Sequence, residues 1–368
     1  EDCWGNPTRL SAAPTLRVQS QPGETRECAA ELIQRDTVRP AYPLAVKLDT
    51  PGVYTFIAQA KELQGAVESN PVVVHRELPQ QQIFWGDVHS GQSEIGCGCG
   101  TLAQHYAFGR DCAGIQFMTH QANDHYVTLD EWTEPRRVTE KYYSPCRDVT
   151  ILGCEWSPLT TDGGDRNVFY LDDDPVLRRS GRFFLEADPD PEPDIPTAPE
   201  FHDAFRDRNV LVNIHVGGRM TNLEWHEPRI ERLCETHSTH GTSEWFVFDA
   251  LSRGYKVGLT AGTDGVMGRP GACHPARRLI RNLRNGLTAI YATELTREAL
   301  WEAMQQRRTY ATTGPRIRLA FDVNGQPMGS ELSTSQPPTI AMTVLGTAAI
   351  ERADLLRGRQ CIGSWLVP

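Results

Sequence analysis

The stretch WGDVHSG, Trp85–Gly91, ends an apolar run (Gln82-Ile83-Phe84-Trp85) with a glycine and then sets an acid and an imidazole two residues apart. Side chains alternate faces in an extended chain, so Asp87 and His89 leave the strand on one side. The same event recurs along the chain. Gly114–Met118 runs into His120, with Asp124 and His125 beyond it, and Val149–Gly153 runs into Glu155. Val210–Ile214 runs into His215, Ile230–Cys234 into Glu235 and His237, and Lys256–Ala261 into Asp264. Hydrophobic runs that each end in Asp, His or Glu predict strands of a β/α barrel, because there all carboxyl ends converge on one face. Residues as far apart as Asp87 and Asp264 then meet in one pocket.

Outward from that pattern the chain of 368 residues divides into three. Residues 1–78 carry short β-type runs, Thr15–Val18 and Val53–Ile57, punctuated by Pro51-Gly52 and Asn70-Pro71, and read as a small β-sandwich. Residues 79–313 alternate strand-like and helix-like segments, the pattern of parallel β/α architecture. Residues 314–368 return to strands, with a turn-prone Asn324-Gly325 between them. The fold class is therefore α/β, with β segments at both termini. The acidic, proline-rich run 188–199 is a loop inside the middle domain.

Composition excludes several classes. With 47 acids against 37 bases the net charge is −10, which argues against nucleic acid or an anionic membrane as the partner. No apolar run approaches the ~20 residues of a membrane-spanning helix. The chain opens Glu1-Asp2-Cys3 without an initiator methionine, which leaves room for a signal peptide upstream; the compartment expected is cytoplasmic or periplasmic. Cys97 and Cys99 read as small residues of a glycine-rich loop, and Cys3 and Cys28 as a pair able to bridge only in an oxidising compartment. No glycine-rich dinucleotide loop and no G-x-S-x-G elbow is present, against nicotinamide and serine-hydrolase chemistry.

Imidazole nitrogens and carboxylate oxygens together suit Mn, Fe or Zn rather than calcium. The number of candidate ligands exceeds the needs of one tetrahedral ion and predicts two or three. Paired ions activate water and stabilise a leaving oxygen, which is hydrolytic chemistry.

Residues 70–350 resemble a bacterial family classed as a domain of unknown function, an outlying branch of the polymerase-and-histidinol-phosphatase (PHP) superfamily. The stretches that carry the likeness are WGDVHSGQS, THQANDH, GCEWS, GGDRNVF, NIHVGGR, ETHSTHGTSEW, GTDGVMGRPGACHPA and ELTREALWEAMQQRRTYATTG. The resemblance implies a distorted PHP-like (β/α)7 barrel, a di- or trinuclear centre of Mn, Fe or Zn, and phosphoester hydrolysis. It implies metal ligands at Asp87, His89, His120, Glu155, His215, His237 and Asp264, with Glu155 as a bridging carboxylate. Asp87 and His89 stand where the superfamily usually has two histidines. Val266 stands where a histidine often follows the last acid, with His274 as the substitute.

Arg166, Arg219 and Arg269 are candidates to hold an anionic oxygen, with Arg219 also expected to act in catalysis. His125 and His240 are candidate general acids. Asp165 is expected to orient an arginine or bind metal, Glu244 to support a ligand histidine, and His105, His202 and His226 to lie at the surface. The substrate expected is a small anionic or ester compound, a phosphate mono- or diester first. An amide, lactone, sulfate or carboxyl ester would use the same ligands. A binding module with a decayed barrel is the non-enzymatic alternative. Oligomeric state is open.

Overall fold

The computed structural model describes residues 15–21, 25–29, 46–59, 61, 65–171, 175–182, 185, 191–272 and 286–366. Near the amino terminus, β1 (Thr15–Gln21), β2 (Thr25–Ala29), β3 (Gly52–Gln59), β4 (Val67–Glu68) and β5 (Val72–Val74) form one antiparallel sheet, in the order β2-β1-β3-β4 with β5 on β3. The second layer of the expected sandwich is not among the described residues. Cys3 lies outside them, as does the side chain of Cys28.

The middle of the chain is a mixed, ten-stranded sheet. Its strands are β6 (Gln82–Asp87), β7 (Phe117–Thr119), β8 (Val149–Trp156), β9 (Arg166–Tyr170), β10 (Val210–Ile214), β11 (Glu231–Ser238), β12 (Gly241–Thr242), β13 (Gly258–Ala261), β14 (Leu287–Ala292) and β15 (Thr309–Thr312). Pairs β6–β7, β7–β8, β10–β11 and β11–β13 are parallel, as the alternation predicts. By contrast β9 runs antiparallel between β8 and β10, and β14 antiparallel to β6. The reason at β9 is that loop 157–165 contains no helix, so the chain turns straight back; a parallel return needs a long crossover. That reversal puts Asp165 and Arg166 at the same end of the sheet as Glu155, since Trp156 and Ile214 both pair with Arg166.

The glycine that ends the first apolar run has a packing cause. A Cβ on Gly86 would lie 2.2 Å from the carbonyl oxygen of Phe117, so only glycine lets β6 and β7 approach. The sheet also curls into a half-barrel. Thr288 on β14 takes a hydrogen bond from Ala261 N (3.0 Å) and gives one to Ala261 O (2.7 Å), while Gly286 N donates to Gly262 O (3.0 Å). These bonds draw β13 to β14.

Among the described residues five α-helices cover the sheet: α1 (Leu102–Phe108), α2 (Leu129–Tyr142), α3 (Ala198–Ala204), α4 (Glu244–Ser252) and α5 (Arg297–Gln305). Thr101 with Gln104 and Thr128 with Glu131 cap α1 and α2 reciprocally. Every residue of β9 and β10 is buried, as a sheet covered on both faces requires. Phe201, Phe205, Trp156 and Val168 pack in one cluster; Phe117, Ile290, Leu300 and Trp301 pack in another. Beyond β15, β16 (Arg318–Val323), β17 (Gln326–Pro327) and β18 (Ile340–Leu345) make a small antiparallel sheet, and β19 (Arg352–Arg357) with β20 (Gln360–Leu366) a hairpin. Tyr291 and Tyr310 donate their hydroxyls to Leu319 O (2.5 Å) and Ile317 O (2.9 Å), tying this segment to the large sheet. Among the described residues no helix is long and apolar enough to cross a membrane.

One buried charge network corrects the surface assignment of two histidines. Glu231 accepts from Arg166 Nε (2.7 Å) and His202 Nε2 (3.0 Å) on one oxygen, and from His226 Nδ1 (2.8 Å) and Glu227 N (3.0 Å) on the other. His226 also stacks on Tyr255, with ring centroids 3.8 Å apart. Both imidazoles are drawn inward because Glu231, itself 1% exposed, needs several donors to be buried ionised. Burial alone would raise the Glu231 carboxyl, but Arg166 and the two histidines outweigh it and hold it well below the usual carboxylate range. A depressed carboxyl contributes stability above its unfolded pKa of about 4.3, and that stability is lost as pH falls toward the folded value. Glu231→Gln should therefore cost about 3–5 kcal/mol at neutral pH. Urea denaturation from pH 7 to pH 3 should show the gap to wild type shrinking below about pH 4.3. A gap that stays constant or widens in acid contradicts the assignment.

Candidate metal centre

His89, Glu155 and His215 converge at the carboxyl end of the curled sheet. One ligand atom from each lies within 4.8 Å of the other two, and all three residues are buried. Glu155 sits in β8 one residue before its end; His215 follows β10 directly, and His89 lies two residues beyond β6. His89 Nε2 is 3.4 Å from Glu155 Oε2, and the His89 and His215 rings are 4.6 Å apart between centroids. Among the described residues, both nitrogens of His215 and Nε2 of His89 are buried without a hydrogen-bond partner. Orphaned imidazole nitrogens facing a carboxylate are costly unless a cation is shared among them. Two histidines and a glutamate are also a donor set of catalytic zinc sites. These residues therefore fit a divalent transition metal.

The electrostatics agree with that fit. Burial, reinforced by His89, pushes His215 well below the usual imidazole range, leaving it neutral with a lone pair to give. Burial would also lower His89, but the carboxylates of Glu235 and Asp264 override it and hold His89 well above that range. Negative charge thus surrounds the point where the ligand atoms meet.

Asp264 stands beside the three. Its Oδ1 is 3.4 Å from His89 Nε2, and its Oδ2 is 3.0 Å from His240 Nε2. It takes the left-handed backbone region (φ 44°), held by a hydrogen bond from its N to His89 O at 2.6 Å. Glu235 is a site residue that the ligand search passed over in favour of His237. Its Oε2 lies 2.9 Å from His89 Nδ1, with both side chains buried. In sequence the two stand two apart, as Asp87 and His89 do, but a bulge between Glu235 and His237 in the pairing with β13 breaks the alternation and separates them.

Asp87, expected as a ligand, is occupied elsewhere. Oδ1 accepts from His89 N (3.2 Å) and Thr263 N (3.1 Å); Oδ2 accepts from Thr263 Oγ1 (2.6 Å) and Gly271 N (2.9 Å). Four donors fill the lone-pair positions of a carboxylate. Asp87 thus pins the 263–271 loop to the end of β6. His120 is buried with Nε2 turned to Ser93 N (3.1 Å) and Oγ (3.0 Å), and burial lowers it to about 3. His237 pairs through Nδ1 with Thr242 Oγ1 (2.8 Å). Thr242 holds the place proposed for Glu244, which is exposed at the start of α4.

His105, assigned to the surface, is fully buried, with Nε2 2.8 Å from Ser90 Oγ and its ring 5.4 Å from that of His120. A capped helix carries it inward, which periodicity over so short a helix does not reveal. His125 is buried in the 3-10 turn Asp124–Tyr126, against the ring of Tyr126. His274 lies outside the described residues. Val266 accepts from Cys99 N through its carbonyl (3.0 Å), joining the Cys97-Gly98-Cys99 loop to the Asp264 loop.

The arginines separate. Arg166 has no exposed side-chain surface; it pairs with Glu231, donates to Gly163 O and Gly164 O, and lies over Trp156. It is a core residue, which corrects the expected substrate contact. Arg269 is half-buried in the turn that closes from Ala272 N to Arg269 O (3.2 Å). Arg219 is 30% exposed, and Asp165 grips it at Nε (2.8 Å) and at its backbone N (2.8 Å). Gly217 makes this possible: at φ 38°, a Cβ there would sit 2.5 Å from Asp165 Oδ2 and 2.8 Å from His215 Nδ1. Burial and the nearby Glu155 raise Asp165 to about 7, against the pull of Arg219.

The family model of DUF3604, a protein of unknown function, matches residues 274–336. An uncharacterized protein of Chlamydia pneumoniae is 22% identical over 342 residues, 85% of this chain and 53% of that protein. An uncharacterized protein of Chlamydia trachomatis is 31% identical over 168 residues, 44% of this chain and 26% of its own length. The chain thus spans about half the length of the first relative and about a quarter of the second. Among crystal structures, a two-domain Bacteroides vulgatus protein containing a predicted PHP-like metal-dependent phosphoesterase shares 13% identity at a TM-score of 0.45, over 67% of this chain and 69% of that one. That likeness is too slight to argue from.

The geometry separates Asp87 from the ligands in a way that can be measured. Asp87→Asn would face an amide donor against Thr263 or Gly271. It should lower stability by about 1.5–3 kcal/mol even in excess chelator. Chemical denaturation without metal checks this; an unchanged midpoint in chelator would return Asp87 to the ligand set.

Proposed function

We propose that this chain is a metal-dependent hydrolase acting on a small phosphate mono- or diester. The observation that carries the reading is the His89–Glu155–His215 cluster, buried and with imidazole nitrogens that no group among the described residues satisfies. A divalent Mn, Fe or Zn ion held there would lower the pKa of water toward ~7 and polarise the ester bond. Asp264, with one oxygen toward His89 and the other toward His240, is the carboxylate best placed to be shared with a second ion. That role passes to it from Glu155, one of whose oxygens is held by Ser157 at 3.0 Å. Two ions, or three with His237 and His274, remain the reading of the ligand count.

The rest of the chemistry falls to side chains of the chain itself. Arg219 binds the anionic oxygens, because Asp165 engages only its Nε and backbone N and turns the guanidinium into a fixed fork. Phosphorus oxyanions suit that fork better than a neutral amide or lactone does. His240, 20% exposed and with Nε2 3.0 Å from Asp264 Oδ2, delivers the proton to the leaving group more readily than the buried His125. The net charge of −10 favours a compact anion over nucleic acid.

The test is elemental analysis of protein purified without chelator, then assay of Mn-, Fe- and Zn-loaded protein on aryl phosphate mono- and diesters beside carboxyl, sulfate and amide analogues. At least one equivalent of metal and chelator-sensitive turnover of the phosphoesters are expected. Metal uptake with turnover confined to other esters would replace the substrate class and leave the centre standing. Arg219→Lys should lose roughly 10²–10³-fold in kcat, since an ammonium cannot reproduce the fork. His240→Ala should lose about 10²-fold, with less loss on substrates bearing a good leaving group.

A further inference from the structure

We infer that Glu235 and Ser157 are positioning residues that leave His89 and Glu155 one ligand atom each; the inference rests on the metal reading above. Glu235 acts on His89. An ionised carboxylate only accepts hydrogen bonds, so the contact from Oε2 to Nδ1 at 2.9 Å places the imidazole proton on Nδ1. When an ion takes the place of the second ring proton, Nε2 is the lone-pair nitrogen, and it is the one that faces Glu155 and Asp264. Glu235 thereby selects both the tautomer and the ring orientation of His89.

Ser157 acts on Glu155 as the last link of a buried relay whose direction is set by backbone donors. Gln92 Oε1 accepts from Cys97 N (2.9 Å) and Asn123 N (3.3 Å), so the other end of that amide is its donor. Gln92 Nε2 donates to Asn123 Oδ1 (2.7 Å), which leaves Asn123 Nδ2 to donate to Ser157 Oγ (2.9 Å). Having accepted that bond, the Ser157 hydroxyl sends its single proton to Glu155 Oε1 at 3.0 Å. Oε1 is thereby engaged, and Oε2, 3.4 Å from His89 Nε2, is the oxygen offered to an ion. Gln92, Asn123 and Ser157 are all buried, so each link would leave an unsatisfied polar group if broken. The relay also ties the Cys97–Cys99 loop to the ligand set. His215 has no such partner and takes its place from β10 and Gly217.

The experiment is zinc titration by competition with a chromogenic chelator, with X-ray absorption of the zinc-loaded protein and circular dichroism in chelator to follow the fold. Glu235→Ala should bind zinc about 10–100-fold more weakly. Glu235→Gln, which keeps an acceptor for Nδ1 but loses the charge, should fall between. Ser157→Ala should weaken binding several-fold and add an oxygen scatterer as Glu155 turns two-oxygen, whereas Ser157→Thr should match wild type. Wild-type affinity and spectrum in Glu235→Ala and Ser157→Ala, with wild type itself binding zinc, would overturn this inference alone. No zinc uptake by wild type would overturn the metal reading and this inference with it. If Glu235→Ala fails to fold, Glu235→Gln decides: weaker binding supports the inference and unchanged binding overturns it.

Discussion

Two imidazoles and a carboxylate held within 4.8 Å of one another, out of water, are the constraint on which the rest of this structure depends. Each group alone would be costly to bury, and together they are tolerable only with a cation or a full set of hydrogen bonds. The surrounding architecture supplies part of that set. Glu235 takes one nitrogen of His89 and Ser157 one oxygen of Glu155, while His240 stands 3.0 Å from Asp264. What is left over points inward, and it has the composition of a metal site.

A second consequence is the amount of buried polar structure that never touches the cluster. Asp87 takes three of its four hydrogen bonds from the loop that carries Asp264, and Glu231 gathers Arg166, His202 and His226 behind β9 and β10. These networks hold loops and strands whose backbones place the ligands. They are also why charged residues at strand ends cannot all be counted as ligands. A carboxylate already saturated by protein donors has nothing to offer an ion.

The likenesses to other proteins fit this picture without extending it. The family model reaches only residues 274–336, mostly the β14–α5–β15 region and the start of the last small sheet, away from the ligand strands. The Chlamydia pneumoniae relative matches most of the chain at low identity. Function is therefore argued from the site, where the chemistry of the donors is explicit.

What the sequence by itself determined is the set of elements and the end of the sheet where chemistry gathers. Apolar runs of strand length stopping at Asp, His or Glu are a local signal, and the period-2 geometry of a strand makes it readable without any fold. His89, Glu155 and His215 were legible for that reason. What only the tertiary structure decided is which of the converging groups face each other and which are already satisfied. Asp87 and His120 end strands as His89 and Glu155 do, yet loop donors far along the chain claim Asp87, and Ser93 takes one of the two nitrogens of His120. Arg166 looks like a loop cation in sequence, but the antiparallel return of β9 buries it against Glu231. His105, His202 and His226 sit in polar surroundings along the chain; packing buries the first and half-buries the other two against partners it brings to them. Hydrogen-bond saturation is a property of neighbours in space, and neither spacing nor residue type carries it.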